Sequence, residues 1–149
     1  MPNRYGKILL SMLLSGFMLL GLTTAQAADK TFADTKVVLQ ISDPNPFKQT
    51  LVLNVASNLI KHYGQDQVVV EIVAFGPGLR LLMKENANKD RIQGLASRKV
   101  KFSACTNTMT KMGKVLGKPP ELNSNAVQVT AGVVRIIDLV KDGYTLVKP

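Results

Sequence analysis

The sequence has little of the chemistry on which most catalytic and metal sites are built. Its 149 residues include one cysteine, one histidine and no tryptophan, and aromatic residues make up 5% of the chain. One cysteine excludes an intramolecular disulfide and any zinc site built from paired cysteines. The lone histidine, His62, is far in sequence from Cys105, so a catalytic Cys-His pair is weakly supported. We therefore predict no cofactor and no resident metal.

The charge of the chain is strongly of one sign. Lysine and arginine number 19 against 10 acidic residues, which gives a net charge of +9. A basic protein can bind nucleic acid, an acidic partner or a membrane surface. The basic residues are scattered, however, and few aromatic residues are present to stack on bases. We interpret the charge as a soluble basic surface and predict no nucleic-acid partner.

The first residues have the pattern of a secretory signal. Arg4 and Lys7 precede an apolar run, Ile8 to Leu22, which is followed by Ala25-Gln26-Ala27. The pattern predicts a signal peptide over residues 1–27, an exported domain over residues 28–149 and a periplasmic location. A retained membrane anchor is the alternative, but the apolar run is shorter than the roughly 20 residues that span a bilayer. We expect no stable membrane insertion after cleavage.

Strands and helices alternate through the rest of the chain. Predicted strands cover Lys36–Ile41, Val68–Phe75, Val100–Ala104, Ala126–Thr130 and Tyr144–Val147. Predicted helices cover Pro46–Tyr63, Arg91–Arg98, Met109–Leu116 and Gly132–Val140, and another begins over Leu79–Met83. This order predicts an α/β fold, a three-layer α/β/α domain with an open, mainly parallel sheet of about five strands.

The last predicted helix suggests self-association. Only Arg135, Asp138 and Lys141 form a polar stripe, and apolar residues cover the remainder of its surface. Such a helix needs more cover than one sheet face provides. A homo-oligomer would supply it, whereas a monomer would have to bury the helix deeply.

Three loops are predicted at the carboxyl ends of strands, where open α/β sheets place their sites. They are residues 42–46, 76–78 and 104–107. Cys105 is the candidate catalytic residue, and Asp43, Gly76, Gly78 and Asn107 are candidate ligand-binding residues. The glycines could expose amides to an anion or only form a tight turn, and Asp43 before Pro44 is also typical of turns.

Cys105 has two further interpretations. At a helix N-terminus a thiol gains a lowered pKa and becomes reactive, but a lone cysteine is often a small buried hydrophobic residue. Cys105, Met109 and Met112 also share one helical face and could hold Cu(I), although methionines at this spacing commonly fill a core.

Several segments together resemble the DsrE/DsrF-like (TusD-related) sulfur-relay family. These are Lys36-Val-Val-Leu-Gln-Ile41, the segment Val70 to Gly78, Val100-Lys-Phe-Ser-Ala-Cys-Thr-Asn-Thr-Met109 and the segment Ala131 to Tyr144. The resemblance implies a domain that is commonly trimeric or hexameric. It also implies that Cys105 accepts a persulfide, which is a possible sulfurtransferase or sulfur-carrier activity.

The resemblance leaves two functions open. One is an exported sulfur carrier that takes sulfur onto Cys105 from a donor protein and passes it to an acceptor. The alternative is a non-catalytic oligomeric binding or assembly module for a small anionic ligand, with Cys105 buried. Export argues against a role in tRNA thiolation, which is a cytoplasmic process.

Overall fold

Five parallel strands form one sheet at the centre of the protein. The computed structural model describes residues 33–149, and the signal peptide expected over residues 1–27 lies outside them. The strands are β1 (Thr35–Ile41), β2 (Val68–Ala74), β3 (Lys101–Cys105), β4 (Ala126–Val129) and β5 (Thr145–Val147). Their order in the sheet is β4-β3-β2-β1-β5, and every pairing is parallel. The predicted three-layer α/β/α fold is confirmed.

Four α-helices and one 3₁₀ helix connect the strands. The α-helices are α1 (Pro46–Tyr63), α2 (Lys89–Ala96), α3 (Thr106–Leu116) and α4 (Gly132–Lys141). The segment predicted to begin a helix at Leu79 is instead a 3₁₀ helix that begins earlier, Gly76–Leu82. Strand β3 is shifted by one residue from the predicted Val100–Ala104, so Cys105 is its last residue and the N-cap of α3. No helix among residues 33–149 is long and apolar enough to cross a membrane.

The strand order distributes the helices unequally between the two faces of the sheet. The first four strands follow one another in a single direction across the sheet, from β1 to β4. Right-handed crossovers between them therefore place the connecting helices on one face of the sheet. The chain then returns to the opposite edge for β5, which places α4 on the other face. The main core contains buried residues of β1, β2, β3, α1 and the 3₁₀ helix, whereas the α4 core is small: Val38, Val73, Ile136 and Leu139.

Two local features fix the strand-to-helix turns at the carboxyl edge. Helix α1 begins because the side chain of Asn45 accepts a hydrogen bond from the Phe47 amide at 2.9 Å and Pro46 occupies the first turn. Gly78 lies directly against the end of β1, and a Cβ placed on it would be 2.5 Å from the Ile41 carbonyl oxygen. Only glycine fits at this position without a backbone shift.

Candidate functional site

The end of β3 places Cys105 beside the N-termini of two helices. Cys105 is 5% exposed. The backbone N–H groups of Gly132, the first residue of α4, and of Thr108 and Asn107, in the first turn of α3, lie near enough to its thiol to act on its pKa. The Asn107 amide also donates to the Thr130 carbonyl oxygen at 3.3 Å. Each helix N-terminus carries unpaired amides and a partial positive charge, which stabilise an anion. The two ends therefore act on the same sulfur atom.

A hydroxyl group adds to these amides. Thr108 Oγ1 accepts a hydrogen bond from the Gly76 amide at 2.9 Å. The hydroxyl keeps one proton to donate, and it lowers the pKa of the nearby Cys105 thiol against the effect of burial, which raises it. A donor that is itself polarised by an incoming hydrogen bond is strengthened. The loop after β2 is thus connected to the thiol through Thr108.

The balance of these effects favours the thiolate. Burial by itself raises the pKa of the Cys105 thiol, but hydrogen bonds from the Thr108 hydroxyl and the amides of Gly132, Thr108 and Asn107 outweigh it. The pKa is lowered below its ordinary value. A larger fraction of Cys105 is therefore nucleophilic at neutral pH than in an ordinary cysteine.

Close packing holds the end of α4 next to this sulfur. Gly132 is buried against the ring and Cβ of Phe75, and a Cβ on Gly132 would be 2.9 Å from the Phe75 Cβ. A side chain at residue 132 would push the helix away from the sheet. Glycine therefore permits the approach that brings the Gly132 amide to Cys105.

An ion pair with a buried carboxylate connects α4 to the sheet. Glu71 on β2 is fully buried, and Arg135 donates to its two carboxylate oxygens at 2.7 Å each, while the Ser103 hydroxyl donates to Oε1 at 2.6 Å. The pair raises the pKa of Arg135, so the guanidinium stays charged. Ser103 precedes Cys105 on the same strand and the same sheet face. The network connects β2, β3 and α4 beneath the candidate site.

Sequence reasoning missed this network. Arg135 was assigned only to a polar stripe of the last helix, whereas it is half-buried and bonded to Glu71. One sequence signal could have indicated it: Glu71 is the single charged residue within the apolar strand β2, Val68–Ala74. A carboxylate in a strand covered on both faces needs a cationic partner.

The structure groups three of the five predicted site residues. Gly76 and Asn107 both contribute to the surroundings of Cys105, Gly76 through Thr108 and Asn107 through its amide. Gly78 is instead buried against β1, where its close backbone contact serves packing. Asp43 accepts from the Asn45 amide at 2.9 Å and from Lys48 at 2.6 Å, and these bonds lower the pKa of Asp43. Its visible role is in the turn before α1.

The copper alternative finds no support in the arrangement of the sulfur atoms. Met109 is buried in the main core, and Met112 packs against that core. Cys105 is the residue before α3 and faces the α4 side of the sheet, where Gly132 lies. Among residues 33–149 no three His, Cys, Asp or Glu side chains are grouped to hold a metal ion. His62 is exposed and forms an edge contact with the Tyr63 ring at 4.7 Å.

Comparison with known proteins gives a relationship at the level of fold. The chain matches no protein-family model and no curated protein sequence. It is similar to a solved structure of a protein of unknown function from Methanobacterium thermoautotrophicum, with a TM-score of 0.69 and 24% sequence identity. The match covers 78% of this chain and 100% of that chain. The similarity supports the same α/β architecture.

Proposed function

We propose that this protein is an exported sulfur carrier that holds a persulfide on Cys105. The observation that carries the proposal is the position of Cys105 at the N-cap of α3, whose first turn contains the Thr108 hydroxyl that accepts from the Gly76 amide at 2.9 Å. The resemblance of the Val100–Met109 segment to the DsrE/DsrF-like family supports the same assignment. The signal pattern of residues 1–27 supports a periplasmic location.

The transfer needs no oxidant or reductant. The Cys105 thiolate attacks the outer sulfur of a donor persulfide, R–S–SH, so that a new S–S bond forms at Sγ while the donor S–S bond breaks. The donor leaves as the thiolate R–S⁻, and Cys105 becomes Cys–S–SH. An acceptor thiolate then attacks the outer sulfur of this persulfide, and Cys105 leaves as the thiolate. Each step is a thiol exchange between sulfur atoms.

The surroundings of Cys105 suit both the attacking and the leaving states. A persulfide is itself readily anionic, and it gains from the same amides and hydroxyl that stabilise the thiolate. The thiol is 5% exposed, so the arrangement fits the addition of a single sulfur atom better than a bulky adduct. A lowered pKa also makes Cys105 a good leaving group in the second step.

Intact-mass spectrometry tests this proposal directly. We expect protein purified without reductant, or treated with polysulfide, to gain about 32 Da per sulfur atom, in a form that dithiothreitol or cyanide removes. The control is Cys105→Ser, which should show no gain. A wild-type thiol that stays unmodified after polysulfide treatment would contradict sulfur carriage. It would favour the alternative, a non-catalytic oligomeric module that binds a small anion.

We also propose that the protein forms a homo-oligomer through the outer surface of α4. Helix α4 is the single helix on its face among residues 33–149, and its outer side is apolar. The exposed apolar residues of this surface are Val133, Val134, Ile137 and Val140 of α4 and Leu146 of β5. A contiguous exposed apolar surface of this kind is typical of subunit contacts.

Light scattering coupled to size-exclusion chromatography tests the oligomer. We expect the wild-type protein to elute as a trimer or hexamer and Ile137→Lys to elute as a smaller species. Asp138→Lys is the matched control, because it adds positive charge to the neighbouring exposed position of the same helix. A wild-type monomer, or an Ile137→Lys protein of unchanged size, would contradict the proposed interface.

A further inference from the structure

A pocket of about 890 Å³ lies between the 3₁₀ helix and α3, and its lining includes Gly76 and Thr108, the hydrogen-bonded pair near Cys105. Its volume is in the range of roughly 300–1,000 Å³ that is usual for small-molecule sites. Half of its twelve lining residues have apolar side chains: Phe75, Pro77, Met83, Met112, Val115 and Leu116. This composition suits a ligand with a hydrocarbon body.

Part of the apolar lining is not accounted for by the packing of the domain. Val115 and Leu116, in the last turn of α3, are 85% and 59% exposed. Met83, which follows the 3₁₀ helix, and Met112 of α3 line the pocket from its two sides. Methionine side chains adapt their shape to different apolar partners, and exposed apolar residues around a concavity indicate a binding groove.

Two cations lie among the lining residues. Arg80 and Lys111 are exposed, and neither belongs to the four ion pairs formed within residues 33–149. Glu85 is the single acidic residue of the lining, so the charge around the pocket is positive overall. An anionic group on the ligand would therefore be attracted to this site.

We propose that this pocket binds an amphipathic anion, with its hydrocarbon chain against Met83, Met112 and Val115 and its anionic headgroup near Arg80 and Lys111. The apolar chain supplies most of the binding free energy, because it leaves water for an apolar surface. The cations select an acidic headgroup over a basic or neutral one. The proposal does not require sulfur transfer at Cys105, although Gly76 and Thr108 belong both to the pocket lining and to the surroundings of the thiol.

Isothermal titration calorimetry of the purified protein tests the proposal with three probes. Decanoate has both features, acetate has the headgroup without the chain, and decyltrimethylammonium has the chain with the opposite charge. We expect saturable binding of one decanoate per chain and weaker or undetectable binding of the other two. No saturable binding of decanoate, or equal affinity for both decyl compounds, would overturn the proposal.

Variants locate the binding site. Lys111→Met should weaken decanoate binding about two- to fivefold, the range expected for an exposed charge pair. Lys114→Met is the matched control, because Lys114 is exposed on the same helix and does not line the pocket. Val115→Asp should weaken binding more strongly, and its high exposure makes misfolding a minor concern. Wild-type affinity for decanoate in both Lys111→Met and Val115→Asp would refute this location. So would the finding that a second copy of the chain occupies the pocket and excludes decanoate.

Discussion

The hydroxyl of Thr108 provides the sharpest test of the site around Cys105. Replacing Thr108 by valine keeps the shape of the side chain and removes its hydroxyl, so the sulfur loses one donor while the amides of α3 and α4 remain. A hydrogen bond to a charged group contributes about 1.5–3 kcal/mol, and one pKa unit corresponds to about 1.4 kcal/mol. We therefore expect Thr108→Val to destabilise the thiolate by about 1.5–3 kcal/mol and so to raise the pKa of Cys105.

The same substitution has a second effect that must be separated from the first. Gly76 donates its amide to Thr108 Oγ1 at 2.9 Å, and valine would leave that amide without its acceptor. An unpaired buried donor costs about 1–3 kcal/mol, so we expect lower stability as well. Thr108→Ser restores both hydrogen bonds and should return the pKa and the stability close to the wild-type values. Thr110→Val is an exposed control on the same helix.

The rate of alkylation by iodoacetamide, measured across pH, reports the pKa of Cys105 because the thiolate is the reacting form. Ultraviolet absorbance of the thiolate gives an independent titration of the same group. The reasoning is refuted if Thr108→Val titrates at the wild-type midpoint, or if Thr110→Val shifts it equally. Either result would mean that the Thr108 hydroxyl does not act on the sulfur.

Three further predictions concern stability. Because the pKa of Cys105 is lowered in the folded protein, its thiolate should stabilise the fold above the ordinary thiol pKa, and this stabilisation should be lost as pH falls through the folded-state pKa. Urea unfolding of the wild type and of Cys105→Ser across pH measures this contribution. A difference in stability that does not change with pH would contradict the prediction. Arg135→Met should lower the free energy of unfolding by about 3 kcal/mol, because it leaves the buried Glu71 carboxylate without its cation. The double variant that also carries Glu71→Met should recover much of this loss. If the losses of the two single variants simply add in the double variant, the pairing is contradicted. Gly78→Ala should destabilise the protein, because the added Cβ would overlap the Ile41 carbonyl. Gly94→Ala, at an exposed position of α2 where a Cβ meets no other atom, should not. Equal melting temperatures for the two variants would refute the packing role of Gly78.

The sequence was sufficient for the architecture because the architecture depends on local patterns. The apolar run Val68–Ala74 identifies a strand covered on both faces, and Pro46 and Gly64 mark the ends of α1. Alternation of such segments implies parallel strands, and the predicted three-layer fold is confirmed. Boundaries were less certain where turns were involved. Residues 76–82 form a 3₁₀ helix in place of the predicted start of an α-helix, and Gly78 within it packs directly on the end of β1.

The surroundings of Cys105 were only partly predictable because they are made by distant segments. The position of the cysteine before a helix was readable from Thr106, Asn107 and Thr108. The contributions of Gly76 and Gly132 to this site were not, since each depends on how a separate loop or helix packs at the edge of the sheet. Glu71 and Arg135 are 64 residues apart and become partners only through the return of α4 across the sheet.

Helix α4 takes part in both the proposed thiol site and the proposed interface, and its two sides allow these roles to be separated. Gly132 is buried beside Cys105, whereas Ile137 is 48% exposed on the outer surface. If the domain alone fixes the helix, through the Glu71–Arg135 pair, Ile137→Lys should change the size of the assembly and leave the pKa of Cys105 as it is. If the neighbouring subunit is needed to press α4 onto the sheet, dissociation should also weaken the Gly132 hydrogen bond and raise that pKa. Titration of Cys105 in the dissociated variant therefore decides whether a single chain is enough to build the site.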